Sequence, residues 1–223
     1  GDHAITVTGI HSYISTKEEG MEAIGYNQLI ASQLFYNMGA VNPNSRFLSS
    51  SYERSNNLAF AGRLNYAYKS KYLLALTYRA DGASRLSPDK RWDYFPSVSA
   101  AWNISDEDFM KNVSWIDNLK LRASYGTTGN YSINPYATQS TLNSFANLGF
   151  AEASQSYYYF NQYIGNRNLG WEKSTTTNIG IDFSLVKNRL SGSIEVYNVK
   201  TDGLLYGRLQ PRSSGSVSNG VMF

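Results

Sequence analysis

An all-β fold, an antiparallel transmembrane β-barrel segment of about seven strands with long extracellular loops, is what three features of this sequence predict. Apolar and polar residues alternate with period two along most of the chain, short and long connections follow one another between the alternating segments, and aromatic residues stand where charge would be expected.

The alternation begins at Ile5, with Ile5, Val7, Gly9 and Tyr13 on one face and Thr6, Thr8 and Ser12 on the other. Leu58, Phe60, Gly62, Leu64, Tyr66 and Tyr68 then alternate with Ala59, Ala61, Arg63, Asn65 and Ala67. Lys69, Ser70 and Lys71 interrupt, and Tyr72, Leu74, Leu76 and Tyr78 follow against Thr77, Arg79 and Asp81, which makes a tight hairpin. Tyr94, Val98, Ala100, Trp102 and Ile104 oppose Ser97, Ser99 and Asn103; Leu119, Leu121, Ala123 and Tyr125 oppose Lys120, Arg122 and Ser124. The last two segments set Thr177, Ile179, Ile181, Phe183 and Leu185 against Asn178, Gly180, Asp182 and Ser184, then Leu190, Ile194 and Val196 against Ser191, Ser193 and Glu195. Each is near the ~10 residues a barrel strand requires.

Connections sort by length. Those at 69–71 and 187–189 are tight, whereas 16–52, 82–92 and 129–170 are long, as expected of barrels with short periplasmic turns and long outer loops. The connection 105–118 falls on the short side yet is longer than a turn. Ser105 and Asp108 there resemble a capping box, with Phe109 and Val113 at i,i+4 spacing, so a short helix is expected. Between Gly20 and Met38, Ile30, Leu34 and Met38 share a helical face, and both a helix and an irregular loop remain open.

Composition supports the membrane reading. Aromatic residues are 14% of the chain, with 18 Tyr, and charged residues only 17%, against the roughly 25% of average soluble chains. A soluble β-sandwich also alternates, but its outer face carries Lys and Glu. Here the polar faces hold mainly Ser, Thr, Asn and Gly, and Tyr72 and Tyr78 bracket Leu74 and Leu76 as aromatic girdles bracket a lipid band. That pattern favours the barrel. No apolar run approaches the ~20 residues of a membrane-spanning helix. The net charge of +3 is dispersed, which argues against nucleic acid as partner, and the lack of cysteine excludes disulfides and thiolate metal sites. Gly1, Asp2 and His3 enter a strand pattern directly, with neither initiator Met nor signal peptide, and both ends read as truncations.

Several strings narrow this further. They are Gly62-Arg63-Leu64-Asn65-Tyr66 through Lys71-Tyr72; Asp81-Gly82-Ala83-Ser84-Arg85; Arg91-Trp92-Asp93-Tyr94-Phe95-Pro96-Ser97 on to Ala101-Trp102; Leu119-Lys120-Leu121-Arg122-Ala123-Ser124-Tyr125-Gly126 with Thr128-Gly129-Asn130; and Asn168-Leu169-Gly170-Trp171-Glu172 leading into Asn178-Ile179-Gly180-Ile181-Asp182. In that order they resemble the barrel of SusC/RagA-type TonB-dependent outer-membrane transporters of Bacteroidetes, over residues 52–205. Asp93 departs from the family's usual Gly and Leu86 from its usual Phe. The resemblance implies residence in the cell outer membrane, among its lipid, and active import of oligosaccharides, or sometimes peptides. It implies as partners a SusD-like surface lipoprotein and TonB, reached through an N-terminal plug and TonB box. Residues 1–223 read as part of one barrel domain without plug or TonB box.

Chemistry-bearing clusters are few. His3 and His11 share a strand face but lie about 27 Å apart at ~3.3 Å per residue, too far to bind one metal. Asp106, Glu107 and Asp108 are explained as negative charge in the first turn of the expected helix. No nucleophile-base arrangement, phosphate loop or metal spacing emerges, so neither enzyme activity, cofactor nor metal is expected. Asn-X-Ser strings at Asn103, Asn112 and Asn130 are chance matches in a Ser- and Asn-rich chain. Ligand candidates are loop aromatics, whose faces accept sugar C–H groups: Tyr157, Tyr158, Tyr159, Phe160 and Tyr163, with Asn161, Gln162, Asn166 and Arg167 for hydroxyls, and Trp92, Tyr94 and Phe95 beside another loop. Packing of the loop on itself is the competing explanation for these rings. Arg63, Arg79, Asp81, Arg122 and Asp182 fall on the polar faces, as lumen-lining residues or as a structural charge ladder. Two alternatives to import remain, a soluble glycan-binding β-sandwich and a passive porin.

Overall fold

The structure, a computed structural model, describes residues 2–28, 30–146, 157–208 and 221–222. Its strands are β1 (His3–Gly25), β2 (Arg46–Tyr68), β3 (Tyr72–Ala83), β4 (Trp92–Asn103), β5 (Ile116–Asn130), β6 (Thr141–Ala146), β7 (Tyr157–Tyr163), β8 (Glu172–Leu185), β9 (Leu190–Asp202), β10 (Gly207–Arg208) and β11 (Val221–Met222). Seven of them form one sheet in the order β1-β2-β3-β4-β5-β8-β9, while β6 pairs with β7 and β10 with β11. Every ladder from β2 to β9 is antiparallel. These seven are the segments in which the alternation is cleanest.

The chain divides into two compact units, residues 1–14 with 57–223, and residues 15–56. In the first, register aligns the alternation from strand to strand. Leu64, Leu76, Val98 and Tyr125 stand in one row, and Ala100, Ala123, Ile179 and Val196 in the next. Since a one-residue slip would turn each strand over, the hydrophobic pattern itself fixes this register. The resulting apolar face is open: Ile179 is 56% exposed, Val196 73% and Tyr78 56%. A soluble monomer rarely leaves so continuous an apolar surface uncovered, whereas a barrel wall presents it to lipid. Rings border this face at both ends. His3 lies against Tyr68 at 4.8 Å, and Tyr72 stacks on Trp102 at 6.3 Å; at the loop end Phe60 stacks on Trp92 at 6.3 Å and Tyr78 on Tyr94 at 5.8 Å. The soluble-sandwich alternative does not fit this arrangement.

The reverse face carries Ala59, Ala61, Arg63, Asn65, Thr77, Arg79, Asp81, Ser97, Ser99, Arg122, Ser124, Asn178 and Asp182. At the end where 84–91 and 131–171 connect the strands, Ala83, Leu86, Phe95, Ile133, Ala137, Leu169 and Trp171 form a buried cluster. This is the core of the unit, built from loops folded onto strand ends rather than from two packed sheets. Two turns of the other end are tight, with left-handed φ at Lys69 and Ser70 and again at Val186, Lys187 and Asn188.

Two expectations are corrected, and the open choice between Gly20 and Met38 is decided. The first strand does not stop near Tyr13 but continues to Gly25, and β2 already begins at Arg46, so nearly half of the connection 16–52 is strand. The helix between Gly20 and Met38 does not form. Residues 31–40 make 3-10 turns broken at Leu34 (φ 47°) and Asn37 (φ −132°, ψ 58°), where the backbone leaves helical values. Between β4 and β5 there is no capped α-helix but two 3-10 turns, Ile104–Asp106 and Asp108–Met110. Ser105 caps neither; its hydroxyl reaches Asn118 Oδ1 at 3.3 Å.

The second unit is held by its own contacts. Tyr26 N–H donates to the Ser45 carbonyl at 2.9 Å, and Arg46 Nε donates to the Val41 carbonyl at 2.6 Å. Val41 is buried, and the two flanking strand segments come close enough that a Cβ on Gly20 would meet Ser51 Oγ at 2.6 Å.

Candidate functional site

The polar face opens, next to the buried loop cluster, into a cavity of about 460 Å³. Strands supply most of its lining: Ser12 and Ile14 from β1, Asn57, Leu58 and Ala59 from β2, Thr77, Arg79, Asp81 and Gly82 from β3, Phe95 and Ser97 from β4, and Thr127, Thr128 and Gly129 from β5. Tyr131 and Trp171 close it from the long connection. Period two explains the set, because Thr77, Arg79 and Asp81 must share a face, as must Phe95 and Ser97.

Within it, Arg79 Nε donates to Asp81 Oδ2 at 2.6 Å. Both are neighbours on one strand face, and among the described residues they are the only charged ones in the lining. Asn57 Nδ2 donates to the Tyr131 hydroxyl at 2.8 Å. Trp171 is fixed by donating from Nε1 to the Arg91 carbonyl at 3.0 Å, and its ring meets Phe95 and Tyr131 edge-on at 5.2 and 5.1 Å. Gly129 is required here: a Cβ at that position would run into the Phe95 ring and lie 2.8 Å from Trp171. Outside the cavity, Lys173 Nζ pairs with Asp93 at 2.7 Å.

A second charged group lies farther along the polar face. Arg122 Nε pairs with Asp182 at 3.2 Å and its Nη2 with Glu195, which also accepts from Asn178 Nδ2 at 3.2 Å. Arg122 and Asn178 border another cavity of about 490 Å³, floored by the small residues Ala67, Ala75, Ser99 and Ala101.

All five charged residues expected on the polar faces, Arg63, Arg79, Asp81, Arg122 and Asp182, stand on that face, and two ion-paired groups join four of them. Arg63 instead donates to Asn65 at 3.2 Å. The ligand candidates separate. Trp92 and Tyr94 stand on the apolar face among the border rings, opposite the face of Arg79 and Asp81. Arg167 is exposed in the connection before β8. Tyr157, Tyr158, Tyr159, Asn161 and Tyr163 fall on β7, paired with β6, and their side chains lie outside the described residues. Missing from the sequence reading were Asn57, Tyr131 and Trp171 as cavity walls. Phe95, one of the three aromatics expected beside a loop, does line the cavity, since it alternates in step with Ser97 and against Tyr94.

Glu107 has a role that an acidic helix start did not suggest. Its carboxylate accepts from Tyr72 Oη at 2.6 Å, Trp102 Nε1 at 3.0 Å and Lys71 Nζ at 3.1 Å. The hydrogen bond from Tyr72, then those from Trp102 and Lys71, hold its carboxyl below the usual range. Among the described residues no group of three or more His, Cys, Asp and Glu side chains is placed to hold a metal ion.

Comparison with known proteins agrees with this geometry. The TonB dependent receptor-like, beta-barrel family model matches residues 6–220. The chain is 35% identical over 221 residues to TonB-dependent receptor P26 of Formosa agariphila, covering 96% of this chain and 21% of that protein. It is 40% identical over 157 residues to TonB-dependent receptor SusC of Bacteroides thetaiotaomicron, covering 68% of this chain and 15% of that one. The fold matches the structure of the RagAB peptide transporter with a TM-score of 0.86 at 24% identity, over 99% of this chain and 24% of the other. A second structure, the RagAB peptide importer in the 'closed-closed' state, gives 0.84 at 25% identity over 99% of this chain and 24% of that one. The chain thus spans between 15% and 21% of the length of these two curated relatives. It belongs to the TonB-dependent receptor β-barrel family and forms part of the wall of an outer-membrane barrel.

Proposed function

We propose that this chain supplies wall, loops and part of the ligand cavity of a TonB-dependent importer of oligosaccharides, not of an enzyme. The observation that carries the reading is the cavity of about 460 Å³, on the polar face beneath the loop cluster, lined both by the aromatic residues Phe95, Tyr131 and Trp171 and by the hydroxyl-bearing Ser12, Thr77 and Ser97. An apolar wall with a few convergent polar groups is what a small-ligand site requires, and a sugar ring offers C–H groups to the one and hydroxyls to the other. The polar face lines the lumen in this reading, which also takes Tyr157, Tyr158 and Tyr159 as ligand contacts for their sugar-stacking rings. A SusD-like lipoprotein covers the mouth, and TonB drives release through the rest of the polypeptide. The family membership and the SusC relative support import.

Cells carrying the intact gene are the test. Labelled oligosaccharide should enter them only when TonB is present, and deletion of the gene should abolish entry. Uptake that persists without TonB would convert the reading to a passive porin. A peptide cargo is the second reading, favoured by the match to the peptide importer; the same cells fed labelled peptide decide between them.

A further inference from the structure

The charge pattern of the loop-end cavity goes a step beyond import, and resting on the reading that this cavity holds the ligand, we infer that it selects an electrically neutral oligosaccharide by reading a vicinal diol with Arg79 and Asp81.

Arg79 and Asp81 sit two residues apart on β3 and satisfy each other through one contact, Nε to Oδ2. Among the described residues, the two terminal guanidinium nitrogens of Arg79 and Oδ1 of Asp81 have no further partner. A fixed pair of donors therefore lies beside a fixed acceptor. Two adjacent sugar hydroxyls match that pair, one oxygen accepting from Arg79 while the neighbouring O–H donates to Asp81. Both contacts are charge-assisted, and both make use of hydrogen-bonding capacity that the ion pair leaves open.

Net charge decides against other ligands. The remaining polar lining, Ser12, Asn57, Thr77, Ser97, Thr127 and Thr128, is uncharged, so the cavity totals zero. A uronate or sulfate would bring an anion beside the Asp81 carboxylate, and an amino sugar would bring a cation beside Arg79. Either charge would leave water with no spare counter-charge to meet it. A peptide amide also has one donor and one acceptor. It leaves the hydroxyls of Ser12, Thr77 and Ser97, from three strands, short of partners, and a site of this kind discriminates against a ligand that does not satisfy its polar groups.

The test uses the intact receptor in detergent, with calorimetric titration against three probe sets: neutral hexose oligosaccharides, uronic-acid oligosaccharides of the same length, and peptides of similar size. The neutral set should bind and the uronate set should not. Asp81→Asn should weaken neutral binding by about tenfold or more, as expected for loss of a hydrogen bond to a charged group. Asp81→Asn should also admit the uronate set, because Arg79 then stands unneutralised. A gain of that kind cannot come from misfolding. Arg79→Gln should weaken neutral binding without admitting uronate. Preference of the native receptor for uronate or peptide, or undiminished neutral binding by Asp81→Asn, would overturn the inference and leave import standing. If no probe set binds and TonB-dependent uptake is also absent, the functional reading fails as well.

Discussion

The Tyr72 hydroxyl donates to the Glu107 carboxylate across 2.6 Å, tying the first residue of β3 to the connection between β4 and β5. Trp102 and Lys71 converge on the same carboxylate, so one side chain gathers two strand ends and a turn. Its folded pKa is depressed by these partners, that from Tyr72 foremost. A carboxylate of this kind contributes stability fully above its unfolded value, near 4.5, and loses it as pH falls through the lower folded value. Backbone amides of 104–115 should therefore be protected from hydrogen exchange at neutral pH and lose protection in acid below that point. In Glu107→Gln protection should be low at neutral pH and change little with acid. Equal protection of the two proteins at pH 7 would show that the carboxylate holds nothing in place.

Leu76 tests the lipid-facing assignment. It lies between Tyr72 and Tyr78 on the apolar face and is 40% exposed. Leu76→Arg should lower barrel stability in vesicles by about 2–4 kcal/mol, the cost of a cation near the bilayer midplane. Ala75→Ser, on the reverse face, should cost little. Urea unfolding in lipid vesicles reads both, and a harmless Leu76→Arg would mean the face meets water.

Gly129 tests how tightly loops and strands are fitted. Phe95 and Trp171 occupy the space a side chain would need. Gly129→Ala should cost about 1–3 kcal/mol of stability through overpacking and should also reduce ligand affinity, because Phe95 and Trp171 line the cavity. Unfolding and titration on one preparation measure the two effects together.

Trp92 separates membrane anchoring from recognition. Its ring stacks with Phe60 on the apolar face. Trp92→Ala should leave ligand affinity unchanged, and brominated phospholipid should quench Trp92 fluorescence in vesicles. Replacing Tyr157, Tyr158 and Tyr159 together by Ala should, in contrast, weaken binding. A reversed outcome would exchange the roles of the two aromatic groups.

How far the sequence carried can be read from particular residues. Wherever one face of a strand must be apolar, as at Leu64, Leu76, Val98 and Ile179, alternation located the strand and its register follows from matching apolar sides. Thr16, Lys17, Glu18 and Glu19 lack that alternation and read as loop, yet they continue β1. Backbone pairing sustains a strand without an apolar side, and periodicity is silent about it. Tyr94 already alternated with the apolar set, so its outward position was implicit even while its ring suggested a ligand contact. Glu107 and Trp171 are different in kind. Their partners stand up to 36 and 80 residues away, and no local pattern announces a contact of that range.

Trp92 and Trp102 stand ten positions apart on β4, at opposite borders of the apolar face. At ~3.3 Å per residue that is about 33 Å along the strand, and a tilt of ~40° reduces it to about 25 Å of vertical height. Such a wall matches a thin bilayer. In a thicker one its indoles would be drawn beneath the headgroups, and each ångström of mismatch would cost a fraction of a kcal/mol. Ring placement on a single strand thus sets the hydrocarbon thickness that this wall fits at least cost.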